Sequence, residues 1–344
     1  MSYRVAINGY GRIGRCVLRA LFESRAHDAL EIVAINDVTG IDTLAHLTRY
    51  DSTHGRFPGT VTVDGDMLWI ASGGREQSIR ILREPDIAAL PWRELQVDLV
   101  LECSGTFDDR ETAERHLDQG AGRVLFSQPA RPDVDATIVH GINDRTLRPE
   151  NRIISAASCT TNCIVPVIHC LDQAFGLDYG VITTIHSAMN DQPVIDAYHN
   201  QDLRKTRSAV QSIIPVDTGL AKGIGRILPH LDGRFSAQAM RVPTVNVSAI
   251  DLSVTLHRDV DAAAVNGAIR EGCSRYPADV LACTDEPLAS CDFNHDPRSA
   301  IVDLSQTRVS GPRLVKVLVW FDNEWAYANR MLDVAGLIRQ LEQG

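Results

Sequence analysis

The chain has 344 residues, 44% of them hydrophobic and 23% charged, and a formal net charge of −10. That length exceeds what one hydrophobic core supports, so two domains are expected. The acidic balance excludes a general nucleic-acid or anionic-membrane surface but leaves room for a local basic pocket. No apolar run approaches the roughly 20 residues of a membrane span. The opening residues, Ser2-Tyr3-Arg4-Val5, enter a strand-like pattern with no signal peptide, and a cytoplasmic protein is expected. The eight cysteines, Cys16, Cys103, Cys159, Cys163, Cys170, Cys273, Cys283 and Cys291, show no paired CxxC spacing. Neither a zinc site nor a disulfide framework is expected, and no metal.

Arg4-Val5-Ala6-Ile7-Asn8 is a short strand, followed by Gly9-Tyr10-Gly11-Arg12-Ile13-Gly14 and a helical pattern through Val17, Leu18, Leu21 and Phe22. A second strand, Ile32-Val33-Ala34-Ile35, ends at Asn36-Asp37, and Asp37 lies 23 residues after Gly14. Strand, glycine turn, helix, strand and acid in that order form a dinucleotide-binding pattern. Gly9 permits the tight turn, Gly11 lets the backbone approach a pyrophosphate, and Gly14 lets helix and strand pack closely. The pyrophosphate belongs at the helix N-terminus. Asp37 would accept from the ribose hydroxyls and repel a 2′-phosphate, which favours NAD over NADP.

Val61-Thr62-Val63, Leu68-Trp69-Ile70 and Ile79-Arg80-Ile81-Leu82 read as short strands, with an exposed turn at Gly73-Gly74-Arg75-Glu76. Val97–Glu102 and Arg123–Ser127 extend a parallel sheet. Ligands bind beyond the C-terminal ends of such strands. Ser104, Gly105 and Ser127 are therefore either contacts on the nicotinamide side or ordinary strand-end turns.

Near the middle, small and hydroxyl residues surround one cysteine in Ser155-Ala156-Ala157-Ser158-Cys159-Thr160-Thr161-Asn162-Cys163. Ile164, Ile168, Leu171 and Phe175 follow at helical spacing, which places Cys159 at a helix start. Free N–H groups and the helix dipole there favour a thiolate and can hold an oxyanion. Gly180–His186 is a strand ending in a histidine 27 residues beyond Cys159, close enough for a helix–turn–strand return to pair them. Arg204, Lys205, Arg207, Lys222 and Arg226 read as solvated charges, whereas Arg241 opens an apolar stretch and is a candidate phosphate clamp. Val247–Leu256 and Leu314–Trp320 read as strands of a larger antiparallel sheet, and a final helix is expected from about Glu324 to Leu341.

Together these pieces resemble the phosphorylating glyceraldehyde-3-phosphate dehydrogenase superfamily over essentially the whole chain. The motifs are Asn8–Gly14, Tyr50–Phe57, Ser158-Cys159-Thr160-Thr161-Asn162, Arg241-Val242-Pro243-Thr244 and Asp322-Asn323-Glu324-Trp325. The resemblance implies an α/β fold: a Rossmann NAD-binding domain over 1–158 and an α+β catalytic and oligomerisation domain on a mostly antiparallel sheet over 159–321. A C-terminal helix, 322–344, packs back on the first domain. It makes Cys159 the nucleophile and His186 its base. It also implies cofactor contacts at Gly9, Gly11, Arg12, Ile13, Gly14, Asp37, Ser127 and Asn323, with Arg83 near the adenine. Substrate-anion contacts fall at Ser158, Thr160, Thr218, Gly219, Arg241 and Lys205, or Arg204 in its place. Lys205 stands where the family usually has an arginine. A homotetramer acting on a phosphorylated aldose is implied.

Within the superfamily the erythrose-4-phosphate dehydrogenase branch is the closer likeness, carried by His186–His199, Gln211–Thr218, Phe293–Pro297 and Ser305–Gly311. Met189 stands where the glyceraldehyde-3-phosphate enzymes usually carry a phosphate-holding threonine, and a thioether donates no hydrogen bond. Asp217 adds a carboxylate beside Thr218, which would repel inorganic phosphate. The alternatives are the phosphorylating glyceraldehyde-3-phosphate enzyme and a non-catalytic binding member.

Overall fold

A computed structural model describes residues 2–24, 26–199 and 202–343. The chain divides into two compact units, Met1–Ser158 with Tyr327–Gly344, and Cys159–Ala326.

In the first unit, β1 (Tyr3–Asn8) and β2 (Leu30–Asn36) pair in parallel, joined by α1 (Arg12–Glu23). Val5, Ile7, Ile32 and Ile35 are fully buried, as β-branched runs in a strand covered on both faces should be. The nine-stranded sheet continues from β1 through β8 (Leu99–Glu102), β9 (Arg123–Phe126) and β11 (Ile153–Ser155) to β10 (Ala136–Thr137), all parallel. On the other side β2 pairs in parallel with β7 (Arg75–Leu82), and antiparallel β6 (Met67–Ser72) and β5 (Thr60–Asp64) close that edge. The crossovers diverge on either side of β1, which makes the C-terminal end of β1 the switch point where ligands bind in such sheets. Helix α2 (Ile41–Arg49) leads into a small hairpin of β3 (Tyr50–Asp51) and β4 (Gly55–Arg56); α3 (Arg110–Asp118) connects β8 and β9. Of the expected turn, Gly73 and Gly74 bend with φ of +59° and +83°, while Arg75 and Glu76 already belong to β7.

The second unit is built on a seven-stranded mixed sheet ordered β13 (Ile214–Val216), β14 (Phe235–Val242), β12 (Leu177–Ser187), β15 (Ser248–Leu256), β18 (Leu314–Phe321), β17 (Ala300–Ser310) and β16 (Leu281–Thr284). The β12–β14 and β16–β17 pairs are parallel and the other four antiparallel. Helices α4 (Cys159–Phe175), α5 (Leu220–Ile227) and α6 (Ala262–Cys273) pack on the sheet. Alternation along β12 buries Ile182, Thr184 and His186 and exposes Tyr179, Val181 and Ile185. The last helix, α7, spans Trp325–Gln343, and from Tyr327 onward it belongs to the first unit. No helix among the described residues is long and apolar enough to cross a membrane.

Candidate active site

The glycine turn sits at the C-terminal end of β1. Gly9 has φ +90°, and a Cβ there would lie 2.4 Å from the Ser104 backbone. A Cβ on Gly14 would lie 2.3 Å from the Gly9 carbonyl oxygen. Only glycine fits either place. Gly11 differs: a Cβ there meets nothing within 4 Å, and no side chain caps α1. The helix start is therefore open and positively polarised, which suits the pyrophosphate of a dinucleotide. Asp37 accepts from the N–H groups of Tyr10 (2.8 Å) and Thr39 (2.9 Å). Burial pushes its pKa up, but these bonds outweigh burial and hold the carboxyl below its ordinary value. The carboxylate is thus oriented and ionised, with lone pairs remaining for ribose hydroxyls. Asp37 N–H donates to Leu82 O (3.1 Å), and exposed Arg83 follows at once.

Arg12 and Ile13 lie in the first turn of α1, but the Arg12 guanidinium is turned away to grip Asp51 of the hairpin through both nitrogens. Ser127 is half-buried past β9, its N–H on Glu102 O (3.0 Å), while Ser104 and Gly105 are exposed past β8. A buried network unseen in the sequence backs this rim. Glu102 accepts from Asn8 Nδ2 (2.6 Å) and Ser104 N–H (2.9 Å), and Asn36 Nδ2 donates to Asn8 Oδ1 (2.8 Å). Trp92 Nε1 donates to His116 Nδ1 (2.9 Å), leaving the His116 Nε2–H for Glu102 (3.1 Å).

Two residues before Cys159, Ala157 takes φ +58°, a left-handed conformation rarely adopted by alanine. Its N–H donates to Ser155 Oγ (3.1 Å), and its carbonyl accepts from the Tyr327 hydroxyl (3.0 Å). Cys159 is the first residue of α4, flanked by half-buried Ser158 and Thr160, and its Sγ lies 3.8 Å from His186 Nε2. His186 sits near the end of β12, edge-on to Phe321 with ring centroids 6.4 Å apart. Strand register sets Arg241 directly opposite His186. Arg241 Nη1 is 2.8 Å from His186 Nδ1, which also faces Ser187 O at 2.8 Å. A guanidinium only donates and a carbonyl only accepts. A lone pair on Nδ1 therefore serves Arg241, and a proton there serves Ser187 and leaves Nε2 basic towards Cys159.

The expectation of a stabilised thiolate needs correcting. Burial pushes the Cys159 thiol up to about 11 against the opposing pull of Arg241 and the Thr160 and Cys159 N–H groups. Burial, then Arg241, pushes His186 down to about 4. The helix start and the arginine act in the expected direction, but desolvation of the charged sulfur is the larger effect.

Thr218 and Gly219 stand at the N-terminus of α5, where Thr218 Oγ1 accepts from Leu220 N–H (3.3 Å) and a Cβ on Gly219 would meet nothing within 4 Å. Arg241 Nε is buried without a hydrogen-bond partner among the described residues, an orphaned donor that a phosphate oxygen would satisfy. Asn323 accepts at Oδ1 from Ser187 Oγ (3.0 Å) and Ser248 Oγ (2.9 Å), which fixes its amide with the NH₂ left to donate. Lys205 Nζ lies 2.7 Å from Asp191 Oδ2, one partner for its three donors. Arg204 lies beside it in a short 3₁₀ turn, Leu203–Thr206.

A dinucleotide-binding unit followed by a second unit on a mixed sheet is the layout of a two-domain NAD-dependent dehydrogenase. The family model for the glyceraldehyde 3-phosphate dehydrogenase NAD binding domain matches residues 3–110, and that for the C-terminal domain matches residues 158–323. Together they cover more than half of the chain, which belongs to the glyceraldehyde-3-phosphate dehydrogenase family of NAD-dependent aldehyde dehydrogenases.

Proposed function

We propose that the chain oxidises D-erythrose 4-phosphate to 4-phosphoerythronate with NAD, in the cytoplasm and in service of pyridoxal 5′-phosphate synthesis. Met189 carries this choice. It is 45% exposed in the loop after β12 and brings no hydrogen-bond donor where the phosphorylating enzymes usually hold a substrate phosphate with threonine. A weaker phosphate hold at that point suits a substrate one carbon longer. Asp217, exposed beside the open start of α5, adds negative charge against a free phosphate.

Cys159 Sγ attacks the aldehyde carbon as His186 Nε2 takes the thiol proton. A neutral imidazole is the form required to accept that proton. His186 then handles the proton on the hemithioacetal oxygen. Bound NAD supplies the hydride acceptor. Loss of hydride leaves a thioester on Cys159. Water, deprotonated by His186, attacks its carbonyl carbon, the C–S bond breaks, and the acid leaves with the thiol restored. Arg241 Nε and the Thr218–Gly219 helix start would hold the substrate phosphate.

The same anion-holding groups favour a second reading, phosphorylating oxidation of glyceraldehyde 3-phosphate. The test is kcat/KM for both aldehydes, with product analysis at zero and high inorganic phosphate. Preference for erythrose 4-phosphate with acid as product is expected. Preference for glyceraldehyde 3-phosphate with an acyl phosphate product would overturn the assignment. A homotetramer is proposed as well. The exposed apolar face of Tyr179, Val181 and Ile185, with Val194, Ile195 and Leu203 nearby in sequence, supports self-association. Light scattering that gives a monomer mass would refute it.

A further inference from the structure

Three further cysteines of the second unit gather where α6 ends against β16, the edge strand of the sheet. Cys273 is the last residue of α6 and Cys283 the third of β16. Strand register sets Ala282 beside Ile301 and Cys283 beside Val302. Ala282 packs with Val247, Phe293 and Ile301 on one face. Alternation therefore turns Leu281 and Cys283 to the opposite face, towards α6. Gly272 marks how close that approach is. A Cβ there would lie 2.4 Å from Cys170 Sγ and 3.5 Å from the Leu281 side chain. The Cys273 and Cys283 side chains hydrogen-bond to each other, and both are half-buried, within reach of a small solute. Cys170 is different: it is buried, and its thiol donates to Ala268 O (3.4 Å). A guanidinium acts on each sulfur of the pair, Arg270 on Cys283 and Arg298 on Cys273. Both arginines also hold acids, Arg270 with Asp285 (2.7 Å) and Arg298 with Asp296 (2.8 Å), and Asp279 acts on Arg298 as well.

We propose that Cys273 and Cys283 form a reversible disulfide, a two-electron oxidation site for hydrogen peroxide that is separate from the Cys159 chemistry. The Cys283 thiolate attacks one peroxide oxygen, the O–O bond breaks, hydroxide leaves and Cys283 becomes a sulfenic acid. Burial, then the neighbouring Cys283, raises the Cys273 thiol, so Cys273 enters protonated as the resolving partner. Its sulfur attacks the Cys283 sulfur, the S–O bond breaks, and the departing hydroxide leaves as water with the Cys273 proton. Two thiols and one peroxide thus give one disulfide and two waters. A dithiol reductant reverses the step by exchange. The link fastens the edge strand β16 to the end of α6.

The test treats reduced, folded protein with hydrogen peroxide, raised until Cys159 is oxidised. Remaining thiols are blocked with iodoacetamide and peptides are mapped by mass spectrometry. A peptide pair joining Cys273 to Cys283, lighter by two hydrogens and lost on treatment with dithiothreitol, is expected. The link should form at least about tenfold faster in the folded chain than in urea, because the fold holds the two sulfurs together. Cys273→Ser should leave Cys283 as a sulfenic acid that dimedone traps, and Cys291→Ser should leave the link intact. Oxidised Cys159 with Cys273 and Cys283 unlinked would overturn the proposal, as would Cys283 linked to Cys170 or Cys291 instead. Equal rates in the folded and unfolded chain would overturn the part given to the fold. Dimedone on Cys273 in Cys283→Ser, with none on Cys283 in Cys273→Ser, would overturn the order of attack.

Discussion

The two ends of this chemistry are built differently. The dinucleotide turn is almost contiguous: Gly9, Gly11 and Gly14 act through backbone shape within one strand–helix connection, and Asp37 closes the next strand. The cysteine site is assembled from a helix start at 159, a strand end at 186, loop residues at 191 and 205, a helix start at 219 and a strand position at 241. A local backbone motif carries its own geometry wherever it folds. A dispersed side-chain site exists only when a sheet register is correct, as the pairing of His186 with Arg241 shows.

The sharpest break of that contrast is Cys159→Ala. Cysteine removal should lower NADH production by a factor on the order of 10⁴ or more, while NAD affinity, a property of the first unit, stays within about threefold. Calorimetric titration with NAD beside a turnover assay checks both. Loss of NAD binding in this variant would show that the two sites are not separable.

Gly9→Ala tests the other region. Positive φ and a 2.4 Å approach to the Ser104 backbone together should cost about 4 kcal/mol of stability. Gly11→Ala is the sharpening control. Its Cβ enters open space, so stability should change by less than about 1 kcal/mol while NAD affinity falls. Denaturant melts with and without NAD separate the two effects. Equal destabilisation by both substitutions would contradict the distinct roles given to these glycines.

This asymmetry also governs what could be read from the sequence. The α/β class, the β1–α1–β2 order and Asp37 follow from β-branched runs and glycine spacing, which are local signals. Strand β17 was invisible because Ser305, Gln306 and Arg308 interrupt its apolar pattern, and its pairing with β18 slips between Asp303 and Arg308. The turn of Arg12 towards Asp51 depends on a hairpin whose position no spacing reveals. Likewise, the elevated Cys159 pKa is a tertiary property. Its helix start is written in the sequence, but the desolvation that outweighs it comes from residues packed around the sulfur. A loop acid paired with a loop lysine, Asp191 with Lys205, has no sequence signature at all.

A third prediction concerns acid stability. Burial, then Arg241, lowers the His186 pKa from its ordinary 6.5 to about 4 in the folded chain. The unfolded chain therefore binds more protons in that interval, so stability is fully present above about pH 6.5 and declines as pH falls towards 4. The decline attributable to this group is about 3 kcal/mol. His186→Gln should flatten the acid limb by a comparable amount in denaturant melts at pH 4.5 and 7.5. An unchanged acid limb would mean that the imidazole is not held neutral by its surroundings.

The smallest expected effect is the most informative about the dispersed site. Arg241 lowers the pKa of both partners, so Arg241→Ala should raise both. In wild type the alkylation rate of Cys159 by iodoacetamide should climb about tenfold per pH unit from pH 7 and level off near 11, because only the thiolate reacts. Without Arg241 the same curve should move to higher pH, and the rate at pH 8 should fall about tenfold. Cys163 is fully buried and out of the reagent's reach, and burial pushes its thiol well up. Arg241→Lys retains the charge without the fork, so it should restore most of the alkylation rate but not full turnover. A curve that stays in place in Arg241→Ala would show that the arginine acts on the substrate alone, and the register that sets it against His186 would then matter for binding and not for the reactivity of the sulfur.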